Sequence, residues 1–459
     1  MEKTKIKVLL IHPEISRTKY NFVGVIENEC LELEYISALL KQEGYQVLLY
    51  DGQVEKISVK TVLKEQNPDV VYVCGRTRQE NFMLEYCREA KSQNPATITM
   101  IGGLHAQLCY ERMYDDGVDY IFTTYNIFSI WEVLENHFRG KNTPLQRIKG
   151  ICYKQDGKWG YVAGEPFDLK ELPWPDRTYF YEHPQNYRYL ELEHAAWVRT
   201  SLSCPYNCKF CHRNRMNLGH YVCRDIEDVV EEIASIQATN IYIMDDDFLF
   251  NEERLRRFII LIREKDIRKN YICYGRADFI AQNRELMAEL KSIGLYYVLV
   301  GLETITDEQL KEYNKRSDLQ NNITSIEICH DLGIHLMGMF IIDLDYTPKD
   351  FSNLYKWIKA QGLRHVAISI FTPEMGLETY EAYRERLITD NPSHWDYLHV
   401  VAKPDNMSVK RYYFHYYILL IKLFLKGKRD GVYDFIDYGD YIRSFIRNIF
   451  VSKRSRDDE

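Results

Sequence analysis

The sequence predicts an α/β protein in two unlike halves: a doubly wound, flavodoxin-like sheet over residues 1–140 and an incomplete (β/α)6 barrel over residues 191–375. A hairpin and linker at 141–190 join them, and a helical region at 376–459 closes the chain. Three observations carry this reading. Short apolar runs alternate with segments of helical periodicity, first before residue 140 and again after residue 190. Many of the runs stop on glycine or a charged residue, as parallel strands do where their ends form a site. Between the two series, a hairpin pattern and a cluster of prolines interrupt the alternation.

The first series begins with Lys7 to Ile11, an apolar run stopped by His12-Pro13. A helix over residues 29 to 43 follows, with Leu31, Leu33, Ile36, Leu39 and Leu40 at helical spacing and Gly44 after it. Strands at Val47 to Tyr50, Val70 to Cys74, Thr97 to Ile101 and Tyr120 to Thr123 alternate with helices at 60–66, 80–92 and 127–138. Ligands of such a sheet sit beyond the C-terminal ends of its strands. Gly102-Gly103-Leu104-His105-Ala106 falls at one of these ends. Paired glycines allow a large ligand close to the backbone, and they equally suit an ordinary strand-to-helix turn. His105 alone reads as a hydrogen-bonded loop histidine.

Ile148 to Tyr153 and Trp159 to Val162 flank the turn residues Gln155 to Lys158 as a hairpin, and Leu172-Pro173-Trp174-Pro175-Asp176-Arg177 is a connector. The second series has strand candidates at Ala196–Thr200, Ile241–Met244, Tyr271–Tyr274, Val298–Val300, His335–Ile342 and Val366–Phe371. Asp246, Arg276 and Glu303 stand at the ends of such strands, and a cysteine loop follows the first. After Pro373 the alternation stops. The remainder reads as helical and aromatic, with a frayed charged end at Lys453 to Glu459.

Composition limits the function classes. At 459 residues the chain exceeds one ordinary core, and 46% apolar with 27% charged residues is the balance of a soluble globular protein. With 59 basic and 67 acidic side chains, the formal charge of -8 gives no general attraction to nucleic acid. The 36 tyrosines suit wet cavities and ligand walls. Eleven scattered cysteines with no secretory segment before them fit a reducing cytoplasm. Tyr412 to Leu425, about fourteen residues containing His415 and Lys422, is too short to span a bilayer. It reads as a buried helix rather than a membrane-surface one.

Ser203-Cys204-Pro205-Tyr206-Asn207-Cys208-Lys209-Phe210-Cys211-His212 carries the chemistry. Three thiolates at this short spacing suit three corners of a cubane iron-sulfur cluster and leave one iron open to a further ligand. Zinc is the competing reading, with His212 or Cys223 as the fourth ligand, although no second C-x-x-C half lies nearby.

Cys204-x-x-x-Cys208-x-Phe210-Cys211, after the first strand of a partial barrel, resembles the radical S-adenosylmethionine signature. The resemblance implies a [4Fe-4S] cluster on Cys204, Cys208 and Cys211, with S-adenosylmethionine chelating the open iron and cleaved to a 5'-deoxyadenosyl radical. By the same resemblance Phe210 lies against the adenine, Glu303 contacts the ribose, Asp246 takes the methionine amino group and Arg276 its carboxylate. Gly338 and the backbone at Thr372 border the adenine. For Asp246 and Arg276, a structural ion pair or helix cap is the alternative role.

The N-terminal sheet, the hairpin, the Leu-Pro-x-Pro-Asp-Arg connector and the cysteine loop, in that order, are similar to the cobalamin-binding radical S-adenosylmethionine family over roughly residues 5–375. Gly102, Gly103 and His105 match that family's loop after the fourth strand, and no D-x-H-x-x-G supplies an axial histidine. Arg76, in Cys74-Gly75-Arg76-Thr77, is then expected below the corrin, where a cation cannot coordinate cobalt; capping a loop is its other possible role. The resemblance implies a methyltransferase acting on a substrate carbon, or non-methylating radical chemistry such as cyclisation, ring rearrangement or oxidation. The implied partners are a small-molecule or peptide substrate and an electron donor such as flavodoxin or ferredoxin. Neither nucleic acid nor a transmembrane segment is expected. Transfer-RNA methylthiolation is disfavoured: that family would carry extra N-terminal cysteine ligands and a small C-terminal RNA-binding barrel, whereas here a helical tail follows and the net charge is negative.

Overall fold

In the N-terminal sheet, alternate residues of each central strand enter two separate cores. Val8, Leu10, Val70 and Tyr72 face one core, and Leu9, Ile11, Val71 and Val73 face the other. Helices cover both faces, so the central strands read as unbroken apolar runs. A computed structural model describes residues 6–15 and 26–436; the charged end Lys453 to Glu459 lies outside the described residues.

Five parallel strands, Lys7–His12, Gln46–Asp51, Val70–Cys74, Ile98–Gly102 and Tyr120–Phe122, take the flavodoxin-like order 2-1-3-4-5. The hairpin Ile151–Gln155 and Lys158–Val162 does not stand apart as a connector. Its first strand pairs antiparallel with Tyr120–Phe122 and extends the same sheet.

The second sheet has six parallel strands in sequential order: Ala195–Val198, Asn240–Ile243, Asn270–Gly275, Leu295–Glu303, His335–Ile342 and His365–Ile370. The first and last strands do not pair, so the barrel stays open. Trp197, Tyr242, Tyr297 and Leu299 point inward and share a core with the N-terminal sheet. Val198, Ile243, Val298 and Leu336 point outward under the helices. Several tyrosines expected at ligand walls therefore fill the barrel interior: Trp197 stacks on Tyr242 at 4.6 Å, and Tyr189 meets Tyr242 and Tyr297 at 5.4 and 5.9 Å.

Arg177 of the proline-rich connector joins the halves. Its guanidinium meets Glu29 and Glu34 of the N-terminal half and Glu232 of the barrel at 3.5, 3.4 and 2.7 Å, and donates to the Trp197 carbonyl at 2.6 Å. Burial, with Glu29 alongside, pushes Glu34 well above the usual carboxylate range.

Beyond the barrel, Glu378–Tyr383 is a short helix, turns occupy most of the chain to Ser408, and one long helix spans Val409–Arg429. Ser408 caps that helix through the Arg411 N–H. Its Tyr412, Tyr416, Leu419 and Leu423 are buried in the outer barrel core. The run read as a buried helix is thus buried on one face only: Phe414, Ile421 and Leu425 are exposed. No helix among the described residues is long and apolar enough to cross a membrane.

Candidate functional site

The cysteine loop has little regular structure of its own and is held by its neighbours. Lys209 N–H donates to the Tyr313 carbonyl at 3.0 Å, and Asn314 Nδ2 to the Asn207 carbonyl at 2.7 Å. Phe210 meets Tyr313 edge-on at 5.1 Å. Tyr313 is fixed in turn by its hydroxyl on Asp343 Oδ2 at 2.7 Å. The segment 313–316 is therefore the loop's scaffold, which no local sequence signal announced.

Burial pushes the Cys204 thiol up to about 11 and the Cys211 thiol up to about 12. Such thiols release protons when a metal binds. No group of three or more His, Cys, Asp or Glu side chains among the described residues is arranged to hold a single metal ion. A cubane places each thiolate on a different iron and suits a wider spread. His212, the possible zinc ligand, instead faces Glu374 at 3.6 Å.

The three consecutive aspartates take three different positions. Asp245 accepts from the Thr200 and Ser201 N–H groups at 2.7 and 2.8 Å, which ties the first two barrel strands together. Asp246 pairs with Arg213 at 2.9 Å, which is the structural alternative foreseen for it. Asp247 is buried with both carboxylate oxygens unpartnered. Burial pushes it up to about 8, partly offset by Arg276 and Lys315. An unpartnered buried carboxylate at a strand end is where a cationic ligand group gains most.

Arg276 is also already engaged. Its guanidinium forks onto Asp278 with two bonds of 3.0 Å, donates to the Lys315 carbonyl at 2.6 Å and lies 3.7 Å over the Tyr206 ring. It braces the cysteine loop from below. Glu303, in left-handed backbone at φ 61°, accepts from Lys315 Nζ at 2.7 Å. A Cβ on Gly301 would lie 2.1 Å from Glu303 Oε1, so a side chain there would displace this ion pair. Lys315, unmarked in the sequence, also puts a buried ammonium in the electrostatic range of Cys208.

Gly338 and His105 are both set among protein neighbours. Gly338 does not need its missing side chain for a ligand: a Cβ there would lie 2.9 Å from Leu302 and 3.4 Å from Leu363, in the outer core. His105 is fully buried, with Nε2 on Glu80 at 2.6 Å while Glu80 also holds Arg112 at 2.7 Å. That network fixes the ring through Nε2, while its buried Nδ1 has no hydrogen-bond partner.

Gly102 and Gly103 do stand at a sheet mouth, but their spaces are taken by protein. A Cβ on Gly102 would fall 1.8 Å from Tyr72 Oη, and one on Gly103, at φ 91°, 2.8 Å from Cys74 Sγ. The opening lies beside them. Two adjoining crevices run between the strand ends of the N-terminal sheet and the barrel mouth. One is lined by His12, Cys74, Arg76, Arg199, Arg213 and Met244, the other by Tyr72, Gly103, Tyr125 and Ile130. They are narrow, about 70 and 40 Å³, so a large ligand must part their walls. Arg76 is exposed at the first. Across it, burial would raise Glu32, but Arg199 at 3.0 Å and Arg76 outweigh that and hold the carboxyl low.

Comparisons with known proteins match both halves of the chain. A model of the radical SAM superfamily matches residues 198–358, and one of the B12 binding domain matches residues 27–126. The hopanoid C-3 methylase of Methylococcus capsulatus is 26% identical over 416 residues, covering 89% of this chain and 78% of its own. The anaerobic magnesium-protoporphyrin IX monomethyl ester cyclase of Rubrivivax gelatinosus is 21% identical, covering 88% and 74%. Among solved structures, the cobalamin-dependent S-adenosylmethionine radical enzyme OxsB, with aqua-cobalamin and S-adenosylmethionine bound, superposes with a TM-score of 0.66 at 19% identity. The match covers 85% of this chain and 56% of OxsB, so the chain spans little more than half of that enzyme.

Proposed function

The chain belongs to the cobalamin-binding radical S-adenosylmethionine enzymes, and we propose that it is a methyltransferase acting on a substrate carbon. The observation that carries the proposal is the shared wall. Arg213 gives its N–H to Cys211 Sγ at 3.5 Å and its guanidinium to Asp246, and it also lines the crevice that holds Arg76 and Cys74. Chemistry at the cysteine loop and chemistry at the sheet mouth would therefore be separated by this one side chain.

The side chains present fit the groups this family uses. Cys204, Cys208 and Cys211 would hold the cluster. The unpartnered Asp247 would take the amino group of S-adenosylmethionine, in place of the Asp246 expected from sequence, and Phe210 would wall its adenine. Arg276 would hold the cysteine loop through Tyr206, and Glu303 would reach a ribose only while sharing its carboxylate with Lys315. Arg76 would present a cation to the corrinoid crevice. Bound there, a [4Fe-4S] cluster, S-adenosylmethionine and cobalamin would supply one-electron cleavage chemistry and a transferable methyl group. An electron donor such as flavodoxin or ferredoxin would be needed, and the substrate would be a small molecule or peptide.

The cyclase relative supports a second reading, radical chemistry without methylation in the same fold. Anaerobically reconstituted protein should bind iron and sulfide, and Cys208→Ala should lose both. Asp247→Asn should keep the iron but bind S-adenosylmethionine at least about tenfold more weakly, as losing a charge-assisted bond predicts. Unchanged affinity would remove Asp247 from the site. With substrate present, 5'-deoxyadenosine without S-adenosylhomocysteine would reject methyl transfer in favour of the second reading.

A further inference from the structure

We propose that the outer face of the helix Val409–Arg429 docks on the surface of an anionic phospholipid bilayer. The helix carries no acidic residue and exposes Lys410, Arg411 and Lys422, in a chain whose formal charge is -8; Lys426 is buried, and it and Arg429 meet Asp430 just past the helix end at 2.7 and 3.3 Å. Phe414, Ile418, Ile421 and Leu425 follow one another at spacings of four, three and four, which aligns them on one face. Phe414, Ile421 and Leu425 are 60%, 58% and 59% exposed, and Ile418 is half-buried.

The opposite face, Tyr412, Tyr416, Leu419 and Leu423, is spent on the barrel. Lys410 and Arg411 stand exposed at one end of the apolar stripe, and the exposed Lys422 flanks it further along. An apolar stripe flanked by cations is the pattern of a helix lying in a bilayer interface, with the stripe among acyl chains and the cations at headgroup level.

Charge decides between occupants. The same stripe could serve as a seam with a second copy, but two such helices would bring Lys410, Arg411 and Lys422 of each copy together, and the helix itself has no carboxylate to answer them. Phosphate headgroups answer them directly. The helix runs alongside the barrel: Tyr412 Oη donates to the carbonyls of Ile342 and Asp343, at the end of one strand, and Lys426 to that of Leu363, just before the next. A docked molecule would therefore lay the barrel on its side, with its mouth opening along the membrane.

Vesicle flotation of the full chain tests this. Protein should float with phosphatidylcholine vesicles containing phosphatidylglycerol and stay behind with phosphatidylcholine alone. Lys410→Ala with Arg411→Ala should weaken binding roughly 25-fold, at about fivefold per cation. Ile421→Glu with Leu425→Glu should abolish it while leaving the circular dichroism unchanged, since both side chains are exposed. Equal flotation on neutral vesicles, none on anionic ones, or undiminished flotation of the glutamate variant would overturn the proposal. So would a dimer that the glutamate variant dissociates, or binding gained only when residues 437–459 are removed, which would give the face to a second copy or to the chain's own end.

Discussion

The barrel mouth and the mouth of the N-terminal sheet are fixed by different forces. At the barrel, an irregular loop is held by polar anchors: Asp245 on two backbone N–H groups, Arg276 under Tyr206, and Asn314 on the Asn207 carbonyl. At the sheet, shape does the same work, with Gly102 and Gly103 closed over Tyr72 and Cys74. Polar anchors fix direction as well as distance, which reactive thiols require. Close packing fixes a wall and leaves the facing side free to move, which suits a crevice that must open for a large ligand.

The largest expected effect comes from breaking the polar side. Arg177→Ala leaves Glu29 and Glu34 buried without their cation, and losing one partner of such a network costs about 3–5 kcal/mol. The denaturant midpoint should fall accordingly, with both halves unfolding less cooperatively. A loss within the range of an ordinary surface substitution would mean that the halves are joined by packing alone.

The barrel floor offers a second break, by pH. His365 is buried beside Tyr297 and His335, and burial, then His335 and nearby cations, depress it to about 4 from 6.5. The folded form holds it neutral, so its contribution is complete above pH 6.5 and is lost as pH falls toward 4. At about 1.4 kcal/mol per unit this amounts to about 3 kcal/mol. His365→Phe should flatten that part of the stability profile; an unchanged slope would assign the acid sensitivity elsewhere.

How much of this was legible in the sequence follows the same division. The strands could be read because central parallel strands are apolar on both faces, and the three cysteines because their spacing is local. Which of three consecutive aspartates stays unpaired could not be read. Asp245 meets Thr200 and Asp246 meets Arg213, across tens of residues. Lys315 reaches Glu303 and braces Arg276 by tertiary placement alone. Gly338 and His105 are ambiguous for another reason: glycine and histidine serve packing and hydrogen bonding as readily as ligands, and their neighbours Leu302, Leu363 and Glu80 come from elsewhere in the chain.

The packed side breaks more gently. Gly102→Ala drives a methyl group into the Tyr72 hydroxyl and should cost about 1–3 kcal/mol, the usual range for overpacking. Adding Tyr72→Phe, which removes the clashing hydroxyl and keeps the buried ring, should recover part of it. If the single variant is as stable as the wild type, shape is not what holds that wall.

Arg76→Ala is the smallest change and sharpens the comparison most. Arg76 is exposed at the crevice, its own backbone N–H rests on Gln79 Oε1 at 2.9 Å, and its charge acts across the opening on Glu32. Stability should move by less than about 0.5 kcal/mol, as at other surface positions. A corrinoid bound in the crevice would nevertheless lose a nearby cation, so its reduction potential should fall, because a positive charge at the metal then becomes easier to carry. Arg76→Lys should restore part of the shift. An identical potential in all three proteins would place the corrinoid away from Arg76, and a large loss of stability would make Arg76 a structural cap.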